Sequence, residues 1–320
     1  MKPEIIVIIV LASFIVLYDV VRPIVVGFIV GKILYKKHLV RSPENGWGRD
    51  RCSAPDNYEQ MLMWNSGLEW AKEHEQNCEP VSVTSQGLKL FGEFYNFGSK
   101  KTIIIVPGRT ETLQYSYYFA RPYQEIGFNV LVIDKRAHGW SEGKYEDGGQ
   151  NSYVDLIEWA RFLHDNYGCN DISLHGICIG SSTCLFAFVS PDCPDYVTHM
   201  VADGMYATFL ETFKNHMKDQ RRSVFPYAYT TMYYGKKYSK ADFIKNGPIY
   251  QIDKVRKPFL FLYSKEDIFS TPKQAEKLYA KCGTDKKELV WFDHGVHSHL
   301  LITDPLKYKD ALEGFFTKYE

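Results

Sequence analysis

The first 35 residues carry a nearly continuous apolar pattern, which sets them apart from the rest of the chain. Apolar residues run from Ile5 to Tyr18 with Ser13 as the single polar exception, Asp19 and Arg22 interrupt them, and the apolar pattern resumes over residues 23–34. About thirty helical residues reach roughly 45 Å, which exceeds the roughly 30 Å hydrocarbon core of a bilayer. The pattern therefore predicts one membrane-spanning helix within residues 1–35, either tilted or kinked at Pro23.

Two other interpretations of this segment fit its pattern less well. A cleaved signal peptide has a shorter apolar region and a small-residue cleavage site, which is not evident here. A buried core helix is usually shorter. Lys36, Lys37 and Arg41 follow the span, whereas Lys2 precedes it, so the positive-inside rule predicts a cytoplasmic location for the larger C-terminal part.

Beyond a basic linker over residues 36–56, short apolar runs alternate with longer amphipathic stretches. The amphipathic pattern of Tyr58–His74 predicts a helix. Strands are predicted at residues 80–85, 88–96, 102–108, 128–134, 171–176, 199–203, 258–264 and 288–292. Helices are predicted at residues 114–126, 151–167, 181–190, 273–281 and 306–318.

This alternation predicts a mostly parallel eight-stranded sheet with helices on both faces. The start is expected to be antiparallel, because Gln86-Gly87 joins the first two strands as a hairpin turn. The stretch over about 205–250 is rich in Phe, Tyr and Met and is too long for an ordinary connection. We therefore expect one domain over residues 57–320, with a small cap inserted between its strands.

Composition excludes several classes of function. The formal net charge is zero, which gives no reason to expect a nucleic-acid partner. The seven cysteines are irregularly spaced and form no C-x-x-C pair, so neither a disulfide framework nor a redox motif is predicted. Unpaired cysteines also favour a cytoplasmic location. No G-x-G-x-x-G fingerprint occurs, and no motif implies a cofactor.

The stretch from Gly176 to Gly180, Gly-Ile-Cys-Ile-Gly, follows a predicted strand and precedes a predicted helix. It matches G-x-S-x-G, the sharp turn that presents a nucleophile, with Cys178 in place of serine. Three interpretations are open: a thiol nucleophile, the remnant of an inactive site, and a buried structural cysteine. A cysteine at a helix N-terminus beside a histidine has a lowered pKa, which favours the nucleophile. Ser181 and Ser182 are interpreted as residues of the first helical turn.

Polar residues follow the strands that come later in the chain. In a parallel sheet the carboxyl ends of the strands meet at one edge, where ligands bind. Glu266 and Asp267 follow one strand and are the candidate acids. His297 follows the last strand. Its competitors as the base are His294 and His299, and a metal site formed by all three histidines lacks supporting ligand spacing.

The segment Val132–Gly149, "VIDKRAHGWSEGKYEDGG", resembles the D-x-R-G-H-G-x-S-E-G segment of bacterial α/β-hydrolases of the serine aminopeptidase S33-like and prolyl-oligopeptidase-like group. The order nucleophile, acid, histidine is also that of the α/β-hydrolase fold. This resemblance covers residues 45–320. It implies an α/β-hydrolase fold, with Cys178, Asp267 and His297 as a triad and residues His138 and Ser141 as part of a structural loop.

The resemblance also implies an oxyanion hole. Its donors would be the backbone N–H groups of Ile179 and of Arg109, which follows Pro107-Gly108 where the group usually has His-Gly. The Arg109 side chain itself is expected in solvent, with contact to an anionic substrate group as the alternative. Aromatic residues of the cap, including Tyr206, Phe209 and Phe213, predict contact with an apolar acyl or aryl group.

Three functions are open at this stage. The first is hydrolysis of an ester, thioester or amide, with a small-molecule or lipid-like acyl substrate. The second is acyl transfer from the same cysteine. The third is a catalytically silent, membrane-tethered binding protein.

Overall fold

The structure is a computed structural model that describes residues 2–42 and 47–320. Eight strands form a single sheet in the order β1-β2-β4-β3-β5-β6-β7-β8. Their bounds are Cys78–Ser85 (β1), Leu88–Tyr95 (β2), Lys101–Val106 (β3), Phe128–Ile133 (β4), Asp171–Ile177 (β5), Val197–Asp203 (β6), Phe259–Ser264 (β7) and Lys287–Phe292 (β8). Each predicted strand is therefore present, with shifts of a few residues at its ends.

The sheet is antiparallel only where it begins. Strand β1 pairs antiparallel with β2 across Gln86-Gly87, and β2 pairs antiparallel with β4. All other neighbouring strands run parallel. The mostly parallel eight-stranded sheet with an antiparallel start is confirmed, and the carboxyl ends of β3, β5, β6, β7 and β8 lie at one edge.

Helices pack on both faces of this sheet. They are Tyr58–Glu73 (α3), Leu113–Glu125 (α4), Tyr153–Tyr167 (α5), Ile179–Phe188 (α6), Pro272–Lys281 (α9), Leu300–Thr303 (α10) and Pro305–Lys318 (α11). Strand β3 shows why two faces are covered, since its side chains alternate in direction. Ile104 and Val106 pack in the core beneath α5, α6 and α9, whereas Ile103 and Ile105 pack in the opposite core beneath α3, α4 and α11.

The N-terminal apolar segment is helical from Pro3 to Leu39. Among the described residues it is the helix that is long and apolar enough to cross a membrane. Its parts are an α-helix over Pro3–Ile15 (α1), a π-helical turn over Val16–Val21 and an α-helix over Arg22–Leu39 (α2). Pro23 lacks the N–H that would bond to the carbonyl of Asp19, so the irregularity lies in the turn before the proline.

The end of this helix packs against the rest of the protein. Buried residues of α2 begin at Gly27 and include Leu34, Tyr35 and Leu39, which join a core formed with the cap. Trp47 is also fully buried. The domain boundaries at residues 35 and 56 remain predictions, and residues 43–46 of the predicted linker lie outside the described residues. In the described parts of that linker, residues 36–39 belong to α2, and Leu39 and Cys52 are buried.

The cap lies between β6 and β7 and contains two helices that the sequence pattern had not resolved. These are Phe209–Asp219 (α7) and Tyr227–Tyr238 (α8). Phe209, Phe213 and Met232 from these helices pack against the end of α2. The cap therefore has two supports, the sheet edge below it and the N-terminal helix beside it.

Candidate active site

Cys178 occupies a sharp turn between strand β5 and helix α6. Its backbone has φ 55° and ψ −115°, a conformation that L-residues rarely adopt and that costs on the order of 1–3 kcal/mol. Such strain is found where a nucleophile must stand clear of the chain at a strand–helix junction. The Cys178 side chain is half-buried and contributes to the wall of a cavity.

The two glycines that flank this turn have no room for a side chain. A Cβ on Gly176 would lie 2.3 Å from the Ser181 backbone, and a Cβ on Gly180 would lie 2.2 Å from the carbonyl oxygen of Val106. The close approach of β5, α6 and the end of β3 thus requires glycine at both of these positions. This steric demand holds Cys178 at the carboxyl edge of the sheet.

Ser181 and Ser182, the residues after the turn, are turned away from the cavity. Both side chains are buried. The Ser181 hydroxyl donates to the carbonyl oxygen of Gly176, and the Ser182 hydroxyl donates to that of Gly148. Their hydroxyls therefore fix the first helical turn.

His297 and Asp267 form a hydrogen-bonded pair beside Cys178. The His297 Nδ1 atom lies 2.6 Å from Asp267 Oδ2. The other carboxylate oxygen, Oδ1, accepts hydrogen bonds from the backbone N–H groups of Phe269 and Ser270. Gly204 borders the imidazole, since a Cβ there would lie 3.2 Å from His297 Cε1. The carboxylate orientation is thus fixed by backbone donors, and the ring orientation by the carboxylate.

Electrostatics favour a charged pair of Cys178 and His297. Burial would raise the pKa of the Cys178 thiol, but the imidazolium and hydrogen bond of His297, the Arg109 charge and the Ile179 N–H together lower it. Burial would lower the pKa of His297, but Asp267 and Cys178 raise it well above its usual value. Both directions favour a thiolate next to an imidazolium, which is the form in which cysteine acts as a nucleophile.

The alternative histidines and the alternative acid lie apart from Cys178. His294 is exposed, and its Nδ1 lies 3.1 Å from Glu266 Oε1. His299 is buried between Glu59 and Gln60, at 2.8 Å and 2.9 Å, where it connects α10 to α3. No group of potential metal ligands is found among the described residues.

A second carboxyl group, that of Asp203, lies near His297 at the end of β6. Burial raises its pKa to about 7, and its Oδ2 accepts a hydrogen bond of 2.9 Å from the Tyr308 hydroxyl. Burial would also raise the pKa of Asp267, but His297 and the backbone donors lower it. Of the two carboxyls, Asp267 is therefore the one that carries a stable negative charge beside the imidazole.

The loop after β3 passes close to Cys178. A Cβ on Gly108 would lie 3.8 Å from Cys178 Cβ, so the chain at Gly108-Arg109 borders Cys178. On the other side, the Ile179 N–H makes a hydrogen bond to Cys178. The roles of the Arg109 and Ile179 amides in an oxyanion hole remain predictions.

The Arg109 side chain differs from the solvated one that its sequence position suggested. It is partly buried, and its guanidinium donates a 3.4 Å hydrogen bond to the carbonyl oxygen of His38 at the end of α2. Burial lowers the pKa of Arg109, while the Cys178, Glu146 and Glu111 charges act in the opposite direction. The guanidinium thus contacts the end of the N-terminal helix and places a positive charge near Cys178.

A cavity of about 260 Å³ opens onto Cys178 and His297. Phe209 and Phe213 of the cap line it together with Phe269. Tyr206 does not line this cavity; it is buried and packs against Phe209, with 5.8 Å between the ring centroids. The cavity wall is therefore mainly aromatic on the cap side.

Two polar residues of the cavity were not identified from the sequence. Glu111 is buried, accepts hydrogen bonds from Ser53 and Gln60, and has a pKa raised to about 7 by burial. A single glutamate in the loop after β3 carries no motif that would reveal this. His216 also lines the cavity, and its position seven residues after Phe209 on one helix face is a periodic signal that could have revealed it.

Comparison with known proteins agrees with this architecture. Residues 101–237 match the model of the α/β hydrolase fold family. An uncharacterised protein of Bacillus subtilis, YqkD, is 27% identical over 216 residues, which span 67% of this chain and 70% of YqkD.

Solved structures are similar over most of the domain. An esterase of Pyrococcus furiosus, Pf2001, superposes with a TM-score of 0.65 at 23% identity, over 78% of this chain and 94% of that one. A hydrolase of Pseudomonas aeruginosa superposes with a TM-score of 0.55 at 17% identity, over 75% and 98% of the two chains. The chain therefore has the α/β-hydrolase fold.

Proposed function

We propose that this α/β-hydrolase-fold chain is a membrane-anchored hydrolase that cleaves an ester, thioester or amide bond through an acyl-cysteine intermediate. One observation carries the proposal. Cys178 stands in the strained turn of a nucleophile elbow, with its pKa lowered by a histidine that is itself hydrogen-bonded to a buried carboxylate. A buried structural cysteine needs neither the strain nor the charged partner.

The reaction begins with attack by the Cys178 thiolate on the acyl carbon. The tetrahedral oxyanion would be stabilised by the backbone N–H groups of Ile179 and Arg109. As it collapses, the imidazolium of His297 gives its proton to the leaving alcohol, thiol or amine, and a thioester remains on Cys178. His297 then accepts a proton from water, which attacks the thioester and releases the acid and the thiolate. Asp267 holds the imidazole and stabilises its positive charge.

The cavity indicates the kind of substrate. Its volume of about 260 Å³ is slightly below the range of roughly 300–1,000 Å³ that is usual for ligand pockets. Phe209, Phe213 and Phe269 offer apolar contacts. A short acyl or aryl group fits this volume and lining, and the esterase Pf2001 offers a parallel with the same fold.

We further propose that the helix Pro3–Leu39 anchors the protein in a bilayer with its catalytic domain in the cytoplasm. Lys36 and Lys37 at the end of this helix follow the positive-inside rule. All seven cysteines are free, as expected in a reducing compartment.

The experiment uses the full chain in lipid nanodiscs, because α2 forms part of the cap core and a truncated domain would lose it. The chain is mixed with short-chain p-nitrophenyl esters and acyl thioesters. Release of the leaving group and the mass of the intact protein are followed for the native chain, Cys178→Ala and Cys178→Ser. A covalent acyl adduct with turnover that Cys178→Ala abolishes supports the proposal.

Other outcomes separate the alternatives. Product that forms only with an added amine or thiol acceptor indicates acyl transfer. Activity that appears only in Cys178→Ser means that the cysteine inactivates an otherwise competent site. Equal, negligible rates without an adduct in all three proteins contradict catalysis at this site and favour a silent binding protein.

A further inference from the structure

The N-terminal helix and the cap helix α8 are in direct contact along two turns. A Cβ on Gly27 would lie 2.6 Å from Pro226, and a Cβ on Gly31 would lie 2.2 Å from Thr230. Thr230 Oγ1 also donates a 2.7 Å hydrogen bond to the carbonyl oxygen of Gly27. Glycines four residues apart allow such close helix packing in membrane proteins.

The pairing shows that the two helices run in the same direction. Gly27 lies level with Pro226, and Gly31 lies level with Thr230. One turn further on, the Tyr35 ring lies 6.3 Å from that of Tyr234. The start of α8 therefore lies beside the part of the N-terminal helix where burial begins.

Helix length places the bilayer relative to this contact. Residues 3–26 are exposed throughout and span about 36 Å at 1.5 Å per residue, enough to cross a hydrocarbon core of roughly 30 Å. Counted from the start of the apolar run, a core of this thickness takes up about twenty residues, so its boundary falls within about one turn of Gly27. The start of α8, level with Gly27, is brought to the same depth.

The outer surface at the start of α8 has the composition of a membrane interface. Phe225 is 75% exposed, Tyr229 39% and Tyr233 48%. The Tyr233 ring packs edge-on against Phe28 of α2, with 5.3 Å between centroids, so the aromatic surface is continuous with the apolar surface of the N-terminal helix. Aromatic side chains of this kind concentrate where hydrocarbon meets headgroups.

Basic side chains border this aromatic surface. Lys214 Nζ donates a 2.8 Å hydrogen bond to the Tyr229 hydroxyl, and Arg221 and Arg222 in the loop before α8 are exposed. Basic residues next to a membrane span are attracted to anionic lipid headgroups. Phe225, Tyr229, Tyr233, Lys214, Arg221 and Arg222 are called the cap edge below.

We propose that the cap edge lies in the headgroup region of the same bilayer that the N-terminal helix crosses, with anionic phospholipid as its partner. This proposal rests on the proposed membrane anchoring and is independent of catalysis at Cys178. Because α7 of the same cap lines the catalytic cavity, the cavity is brought close to the membrane surface. Acyl compounds dissolved in the bilayer are then the substrates within its reach.

The experiment measures the depth of Phe225 in the membrane. Phe225→Trp is prepared in the full chain and placed in nanodiscs of anionic phospholipid whose acyl chains carry bromine close to the glycerol, and tryptophan quenching beyond that of the native chain is recorded. Lys100→Trp is the matched control, since Lys100 is exposed just before β3, at the opposite edge of the sheet. Phe225 is itself largely exposed, so its replacement leaves the packing intact.

We expect bromine to reduce the added emission of Phe225→Trp strongly and that of Lys100→Trp little or not at all. Bromine near the chain ends should quench Phe225→Trp less than bromine near the glycerol, because interfacial residues lie only roughly 5–10 Å deep. Equal quenching of the two variants, in protein that remains in the discs, overturns the proposal while the anchoring stands. Release of the native chain from the discs overturns both, and ester turnover on the same samples reports separately on the catalytic site.

Discussion

The Nδ1 atom of His297 lies 2.6 Å from Oδ2 of Asp267, although thirty residues separate them in the chain. This contact unites two loops that follow neighbouring parallel strands, β7 and β8. It also fixes the tautomer of the imidazole, since a protonated Nδ1 is needed to donate to the carboxylate. The Nε2 atom is then the one available for proton transfer at Cys178.

Replacement of Asp267 by asparagine should lower kcat by about 10²–10⁴-fold, because the amide neither fixes the same tautomer nor stabilises the imidazolium. Turnover of an acyl thioester in nanodiscs measures this effect. Glu266→Gln is the matched control, since Glu266 pairs with the exposed His294 and should leave kcat near that of the native chain. Equal losses in the two variants would contradict the role of Asp267.

The ionisation of Cys178 should be visible in its alkylation by iodoacetamide. Its pKa is lowered from the usual 9.0. Alkylation should therefore stay fast as the pH falls below 9 and decline only when the thiolate is protonated. In His297→Ala the charge that opposes burial is lost, so the profile should move to higher pH.

Mass-spectrometric mapping assigns the alkylation rate to each cysteine. Cys193 is the internal control, because it is half-buried and burial raises its pKa. It should react more slowly than Cys178 near neutral pH. An unchanged Cys178 profile in His297→Ala would show that the histidine does not hold the thiolate.

Glu111 should make the stability of the protein depend on pH. Burial raises its pKa from 4.5 to about 7, so between these values the folded state binds more protons than the unfolded state. Stability contributed by this group is present below pH 4.5 and is lost as the pH rises through 7. The full loss amounts to about 3 kcal/mol at roughly 1.4 kcal/mol per pKa unit.

Glu111→Gln isolates this contribution because glutamine keeps an oxygen for the hydrogen bonds from Ser53 and Gln60. As the pH rises from about 5 to about 8, the Tm of the native chain should decrease relative to that of Glu111→Gln. Parallel Tm curves over this range would mean that Glu111 does not titrate with a raised pKa.

The fold, and the position of Cys178, Asp267 and His297 at one edge of the sheet, could be predicted because they depend on local patterns. Apolar runs of five to seven residues specify the strands, and the carboxyl ends of parallel strands meet at one edge. This places Cys178, Asp267 and His297 in one region before any contact is known. Gly176 and Gly180 mark the turn, because their backbones are packed too closely for a side chain.

The cap was less predictable because it depends on contacts between distant segments. Helix α8 is positioned by Gly27 and Gly31, about 200 residues earlier in the chain. The apolar pattern of residues 1–35 indicated a membrane span, but it did not reveal that the span's end forms part of the cap. For the same reason the sequence did not reveal that Tyr206 is buried against Phe209, and the Arg109 guanidinium was expected in solvent. Contact of Tyr206 with substrate remains a prediction.

Two glycine-to-alanine substitutions should change the stability of the protein in opposite directions, because Gly31 lies in the contact between α2 and α8 whereas Gly314 is exposed. A Cβ on Gly31 would lie 2.2 Å from Thr230 Oγ1 and 2.9 Å from the Thr230 carbonyl carbon, so neither the side chain nor the backbone of α8 has room for it. Gly31→Ala should therefore destabilise the cap by about 1–3 kcal/mol, the usual cost of overpacking.

Gly314 in α11 is exposed, and a Cβ there would meet nothing within 4 Å. Gly314→Ala should therefore stabilise the protein by about 0.5–1 kcal/mol.

Thermal unfolding of the two variants in nanodiscs measures both effects, with Gly314→Ala as the control for the substitution itself. Because the strain in Gly31→Ala arises where α2 meets α8, a hydrogen-exchange map should place the loss of protection within α7 and α8. If Gly31→Ala unfolds at the native temperature with unchanged exchange in these helices, α2 is a tether beside the cap and contributes nothing to its stability.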